Sequence, residues 1–563
     1  MPRGSSCLNC RRRRIKCDAA RPICNNCQRS PDKFGDCEYA AGGPSNVEAL
    51  EEQISIMENR IRELENPTQP PGSMVLQDPY AKSSSVRTAL ARNAPSAGTL
   101  DSAELPTPLR QSLLSTFLQY ATQLGFFLDP SSLNVSSPSS SVWHPAPALL
   151  QTVLLLGAQL SSSQTIDSNT KAHLLSQALK TTPYILSSNH PNKVLQAIQT
   201  HVLLSQYFFI NGRFLEGKYH LTMSVSLVLS TGLHRIQSRE LEHSHHIFST
   251  GSGQLHDSSS SLNAMLPPMT SALSPSRYAE EEKEKISAFW TVVILNSCWS
   301  TVEGTTSSLA YWKPEFAVYT PWPGTISEPD VRSNSTIQRF LSNTSDDVRS
   351  VMALHAKASI LFEQTFELSR SYNPTLSPEF AQTWFSRWNT LRSVVQRFQV
   401  PSIDSVLTDN HNTGEPAIVM SRQLLVIHTL ICVVKIRIIR FTPVQSSTSS
   451  YGFAGNNNRD TVIQIALEAA MLIKKTNLQE TTFVDPILAM LWTTIGRILS
   501  EEISSAPSTT DLRSGRSLEV SRRVNAMRSA LDTIYQTMSM LASTLPLMGR
   551  QLQNIRGASG SSN

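Results

Sequence analysis

Six cysteines fall within residues 7 to 37, as Cys7, Cys10, Cys17, Cys24, Cys27 and Cys37, and the basic run Arg11, Arg12, Arg13, Arg14 and Lys16 lies between the second and the third. The spacing is C-x2-C-x6-C-x6-C-x2-C-x9-C, so a C-x2-C pair followed by a lone cysteine occurs twice, the second time with a longer loop. Thiolates at this spacing are ligands for tetrahedral zinc, and two such ions need eight ligand positions, which six cysteines supply only if two of them bridge both metals. About thirty residues cannot bury a sufficient core unaided, so the metal would hold this segment together. The other chemistry open to clustered cysteines is a disulfide framework, which requires an oxidising compartment. The N-terminus carries no apolar signal segment that would send the chain to one.

At these residues the chain closely resembles the fungal binuclear zinc-cluster transcription factors, whose signature is this six-cysteine array with basic residues between the second and third cysteines. The resemblance implies two zinc ions, with Cys7 and Cys24 bridging, Cys10 and Cys17 completing one site, and Cys27 and Cys37 completing the other. Pro22 falls where the family places a loop proline. By the same resemblance Arg14, four residues beyond the second cysteine, reads base edges in a CGG-type triplet, Arg13 assists, and Arg11 and Lys16 contact phosphates. Many members carry lysine at the position of Arg14, yet a guanidinium suits the guanine O6/N7 pair. A helix started by metal-bound Cys7 and Cys10 is expected to present these side chains to double-stranded DNA. The basic run also reads as a nuclear import signal, and both readings can hold together.

Residues 1 to 46 contain nine Lys or Arg and four Asp or Glu, which accounts for the whole formal charge of +5; the remaining chain has 40 of each. Basicity therefore belongs to the cysteine-rich end, as suits a module that approaches phosphates while the rest does not. The chain has 563 residues, with 40% apolar and 17% charged content, which fits a soluble globular protein of several domains' worth of structure. Cys298 and Cys432, the two cysteines outside the array, sit in apolar runs and read as core thiols. The longest uncharged apolar run, Gln423 to Val434, is twelve residues, too short to span a bilayer, so no membrane partner is expected.

After Gly42, Gly43 and Pro44 comes a heptad segment, Val47, Leu50, Ile54, Met57, Ile61 and Leu64, spaced 3, 4, 3, 4, 3. It predicts a short parallel coiled coil over 47–65 that makes a homodimer, with Arg60 at g facing Glu65 at e of the partner chain. With fewer than three heptads, one amphipathic helix packed on its own chain is the alternative. Residues 66–104 are rich in Pro, Ser and Ala and read as a flexible linker. From about 105 onwards the periodicity is helical: Leu109 to Phe127, Ala146 to Leu160, and two helices in Val194 to Arg235 broken at Asn211 and Gly212. A disordered insertion is expected over 237–280, then a run from Glu281 and further helices at about 346–372, 378–398, 421–441, 461–477, 484–503 and 519–550. The fold class expected is mainly α: a zinc-cluster domain at 1–40, the coiled coil, the linker, and a large all-α body ending in a disordered tail at 551–563.

A second resemblance, to the helical middle homology region of the same transcription factors, covers about 105–330, which leaves 331–550 as a C-terminal helical region. Gly212 to Arg235 resembles the family's helix ending in a Gly-Leu-His-Arg turn, here Gly232, Leu233, His234 and Arg235, and Phe289 and Trp290 resemble its aromatic helix. The sequence departs from the family at Asn296 and Ser297, where Asp-Arg is usual, and at Thr305 to Ser308, where a Gly-Arg-Pro turn is common.

Other signals are weaker. Gly212 to Lys218 reads G-x4-G-K, but Tyr219 stands where a phosphate-cradling loop needs Ser or Thr, and no strand precedes it. His243, His245 and His246 lie in a polar loop without a companion cysteine, and His234 reads as the cap of a helix end. An enzyme in the body has only the defective loop to support it. A zinc-cluster cofactor that acts through protein contacts without touching DNA is opposed by the uninterrupted arginines. The expected function is a nuclear, zinc-dependent, sequence-specific regulator of RNA polymerase II transcription, dimeric on DNA, working with the transcription machinery or coregulators.

Overall fold

A computed structural model describes residues 6–20, 23–29, 37, 39, 105–133, 145–161, 166–236, 279–324, 335–342, 344, 348–372, 377–408, 417–441, 453–506 and 514–560. The chain divides into two compact units, Met1–Ala103 and Glu104–Asn563. Among the described residues all regular elements are helical, in keeping with the mainly α class. The expected coiled coil at 47–65 and linker at 66–104 lie outside the described residues, as do the insertion at 237–278 and its histidines.

The first unit contains two short helices, α1 (Leu8–Arg12) and α2 (Asn25–Gln28), each of which begins directly after a cysteine in extended backbone. Among its described residues the buried side chains are Cys7, Cys10, Cys24 and Cys27, with Cys17, Cys37 and Tyr39 packed against them.

The second unit runs through α3 (Thr107–Leu118), α4 (Pro147–Leu160), α5 (Ser168–Thr181), α6 (Lys193–Ile210), α7 (Phe214–Ser230), α8 (Ala279–Glu303), α9 (Thr336–Leu341) and α10 (Val351–Ser371). It continues through α11 (Pro378–Arg397), α12 (Ile403–Thr408), α13 (Ala417–Arg440), α14 (Phe453–Lys475), α15 (Ile487–Ser504), α16 (Ser514–Leu541) and α17 (Pro546–Gly560). Local chemistry fixes several starts. Pro147 and Pro378 occupy first turns, where the missing N–H has no intrahelical partner to lose. Asp167 and Ser350 accept from the backbone N–H groups of Thr170 and Ala353, at 2.9 and 3.2 Å. The predicted break at Asn211 and Gly212 is a turn in which Gly212 has φ +59°, a conformation that favours glycine.

Helix α6 is buried on every side from Val194 to Ile210, the pattern of a helix at the centre of a bundle. It packs on α4 and α7; α8 packs on α7 and α10, α10 on α13, and α13 on α14. At Gly157 a Cβ would overlap the Leu113 carbonyl, so α3 and α4 meet backbone to backbone. Helix α13 is long and apolar enough to cross a membrane by length and composition, unlike the twelve-residue run inside it, but 67% of its most apolar window is buried inside the body. Cys298 and Cys432 are buried core thiols.

Several expected boundaries move. The division at 330/331 is not a break in packing: one apolar core runs from Leu113 to Ile555. Across that division Ser297 and Tyr311 hydrogen-bond to Glu363 (2.6 and 3.0 Å), and the Lys357 ammonium lies 5.0 Å from the centre of the Trp322 ring. Helix α3 ends at Leu118 instead of Phe127, because the chain turns through Gly125 at φ +76° and brings Phe126 edge-on to Phe117 at 5.4 Å. The stretch 519–550 is two helices, since Pro546 cannot donate the N–H needed to continue α16. Residues 551–560, expected as a disordered tail, belong to α17, which buries Leu552 and Ile555. Residues 279 and 280, assigned to the insertion, open α8.

A candidate metal centre and nucleic-acid interface

The two C-x2-C pairs fold alike. In each, the first cysteine is the N-cap of a short helix and the second is buried one turn later. Cys7 N–H donates to Cys17 Sγ at 3.4 Å, and the equivalent Cys24 N–H donates to Cys37 Sγ at 3.3 Å. The repeat in sequence is thus a repeat in structure, and each lone cysteine returns to the start of its own half.

The halves interlock. Cys7 Sγ lies 3.7 Å from Cys24 Sγ and 3.8 Å from Cys27 Sγ, and Cys10 Sγ lies 3.6 Å from Cys24 Sγ. Zinc–sulfur bonds of about 2.3 Å give a tetrahedron with edges of about 3.8 Å, so these thiols are spaced as ligands of shared metal. Cys7 and Cys24 each take part in two of the three short contacts, and both are fully buried. Cys17, Asp18 and Cys24 form a second group whose ligand atoms lie within 4.8 Å of one another. The Asp18 carboxylate is also engaged at the start of α2, accepting from Asn25 N–H at 3.2 Å, and the Asn26 amide donates to the Lys16 carbonyl at 2.7 Å. Tyr39 hydroxyl donates to the Ala20 carbonyl at 2.7 Å and closes the far side.

None of the six cysteines is in a disulfide. Without metal they differ in acidity: the Cys24 sulfur and burial raise Cys27, whereas at Cys24 burial is outweighed by hydrogen bonds from Cys27 and neighbouring thiols, which lower it. Burial and the Cys7 thiol push Cys10 up as well. Thiolates this close repel one another, and a divalent cation is what permits them to lose their protons together. The donor set fits zinc.

The basic run is only partly helical. Helix α1 stops at Arg12, and Ile15 N–H reaches back to the Cys10 carbonyl while Arg14 N–H bonds the Arg11 carbonyl, both at 3.1 Å. This six-to-one and five-to-two pairing is a Schellman ending, with Arg14 at the left-handed position that glycine usually fills, φ 54°. Such a conformation costs a side-chain-bearing residue on the order of 1–3 kcal/mol and persists where surrounding bonds enforce it. Arg11, Arg13, Arg14 and Lys16 are all exposed, and Arg14 lies in the turn beyond the end of α1. The sequence placed these residues on one helix; the left-handed turn carries no glycine or asparagine to announce it.

Two family profiles match. The fungal Zn(2)-Cys(6) binuclear cluster domain covers residues 5–41, and the fungal specific transcription factor domain covers residues 113–376. The chain carries both domains of the fungal binuclear zinc-cluster transcription factors. No curated protein and no solved structure matches it significantly. Cluster domains of this kind bind two zinc ions and DNA, and neither domain is that of an enzyme.

The region matched by the fungal specific transcription factor domain contains the aromatic helix α8, in which Ala288 to Thr301 are all buried. Trp290 stacks on Trp322 at 4.3 Å and donates to the Pro321 carbonyl at 2.7 Å. The departures from the family at Asn296 and Ser297 are buried partners of Ser307 and Glu363, both at 2.6 Å. The G-x4-G-K stretch forms no phosphate cradle: Gly212 is in an interhelical turn, Gly217 and Lys218 lie inside α7, and Lys218 pairs with Glu303 at 3.3 Å. His234 does not cap the preceding helix, which ends at Ser230 with Thr231 as its cap: it lies in the short turn Leu233–Arg235, its carbonyl accepts from Tyr319 N–H at 2.8 Å, and burial pushes its ring down to about 4.

Proposed function

We propose that this transcription factor acts in the nucleus as a sequence-specific, zinc-dependent regulator of RNA polymerase II transcription that reads CGG-type triplets as a homodimer. Six thiolates hold two zinc ions, Cys7 and Cys24 bridging, with Cys10 and Cys17 on one ion and Cys27 and Cys37 on the other. The metal fixes α1 and the turn after it. Arg14 donates bidentately to guanine O6/N7 with Arg13 beside it, and Arg11 and Lys16 bind the flanking phosphates. Val47, Leu50, Ile54, Met57, Ile61 and Leu64 pair two chains so that two triplets are engaged together, and the helical body passes the signal to coregulators or the transcription machinery.

The observation that supports this reading is the exposed Schellman turn at Arg14, four residues beyond Cys10 of the interlocked thiols. Binding-site selection from random DNA with the full-length chain tests it. Recovery of paired CGG-type triplets supports the reading. Recovery of no common sequence by a zinc-loaded chain contradicts it and favours a cofactor that works through protein contacts.

A further inference from the structure

A cavity of about 500 Å³ opens in the helical body between the turn after α3 and helices α8, α10 and α13. Its size falls within the range of about 300–1,000 Å³ usual for small-molecule sites. Phe126, Leu128, Ile294 and Val426 give it apolar walls, and exposed Thr122, Pro130 and Lys283 form its rim. One wall is held in place from below: Gln199 accepts from Phe127 N–H at 2.7 Å and donates to the Gly125 carbonyl at 3.1 Å.

The polar residues around this cavity are unsatisfied in a way the rest of the body is not. Thirteen buried side-chain polar atoms among the described residues lack a hydrogen-bond partner, and six of them belong to five residues of this one cavity: Gln123, Gln206, His355, Arg422 and Gln423. Gln206 is 2% exposed and its Oε1 has no donor. An unpaired buried polar group costs about 1–3 kcal/mol, so a cluster of them in one hollow is the signature of a site whose partners come from outside the chain. The charges indicate which partners. Arg422 contacts the Tyr120 hydroxyl, leaves Nε unpaired and meets no carboxylate among the described residues, while Lys283 stands at the rim. The one lining carboxyl, Asp485, is already engaged, accepting from Ile487 N–H at 2.9 Å.

We propose that this cavity binds a small organic acid with an apolar body, its carboxylate on Arg422 and Lys283 and its remaining polar atoms on the glutamine amides and His355. Binding would relieve the orphaned groups and supply a counter-charge to Arg422, a half-buried cation with no ion pair among the described residues. The site stands on the helical body alone, so it does not depend on how the zinc cluster meets DNA.

Titration calorimetry of the full-length chain with phenylbutyrate, and with phenylbutyramide as its neutral counterpart, tests the proposal. The acid should bind saturably and the amide about tenfold or more weaker, the loss of about 1.4 kcal/mol that one charge-assisted contact provides. Arg422→Gln should narrow the difference between acid and amide, and Arg422→Gln with Lys283→Gln should bring them to equal affinity. Ser287→Phe, which fills the cavity without removing a buried polar group, should abolish binding of both while the unliganded protein melts no lower than wild type, and it keeps the test decisive if Arg422→Gln does not fold. Absence of saturable binding by the acid, equal affinity for acid and amide in the wild type, or unchanged binding by Ser287→Phe would overturn it.

Discussion

The two units of the chain reach a fixed structure by different routes. Among the described residues of the zinc-cluster unit the buried side chains are four cysteines, held by contacts between sulfurs and from backbone N–H to sulfur. In the helical body one apolar core extends from Leu113 to Ile555, and polar contacts such as Ser297 to Glu363 are set within it. A metal-organised unit has a single point of failure, whereas a packed core loses stability in increments.

Chelation should therefore separate the two most sharply. Removing zinc from the full-length chain withdraws a contribution of about 10–16 kcal/mol from the cluster and nothing from the body. Circular dichroism should show the bulk of the helix signal and its melting transition retained while specific DNA binding is lost. Joint unfolding of both units would show the comparison to be mistaken.

The converse perturbation is Phe289→Ala, at a fully buried position of α8. It should destabilise the body by about 3–5 kcal/mol through lost transfer energy and a residual cavity. Zinc content measured by elemental analysis should stay that of the wild type.

Acid should weaken both units for different reasons. Burial pushes His201 and His355 down to about 4, and burial with the neighbouring His201 pushes His220 down to about 3. Below an unfolded pKa of about 6.5 the unfolded state takes up protons that the folded state refuses, so stability is full above that value and falls as pH drops toward 4. His220→Gln should remove about 2 kcal/mol of the loss between pH 7 and pH 5, read as a shallower pH dependence of the denaturant midpoint. In the cluster, protons compete with zinc for thiolates, so metal release on acidification should be unaffected by that variant.

A smaller effect is expected at Asp18, whose carboxylate caps α2. Asp18→Ala should cost about 0.5–2 kcal/mol and speed zinc loss to a chelator without changing the number of ions bound.

Legibility in the sequence follows the same division. The thiol spacing disclosed the cluster because six residues of one type at fixed intervals have few other uses. In the body, long apolar helices such as α6 and α13 were legible from their periodicity. Helix α5 was missed because Leu174 and Ala178 are the only residues it fully buries, too few to set a period. The division of the body at 330 failed because contacts that join its halves, Tyr311 to Glu363 and Lys357 to Trp322, pair residues far apart in sequence. The left-handed turn at Arg14 was invisible, since backbone bonds to the Cys10 and Arg11 carbonyls hold it on a residue that would not choose it.

That turn bears the central claim, that the cluster exists to aim Arg14 at a base edge. The measurement is binding of wild-type, Arg14→Ala and Arg11→Ala chains, all zinc-loaded, to a selected site and to random DNA over a range of salt. Arg14→Ala should lose about 1–3 kcal/mol on the selected site and little on random DNA, while Arg11→Ala should weaken both alike and flatten the salt dependence. Equal weakening of the two DNAs by Arg14→Ala would contradict the account.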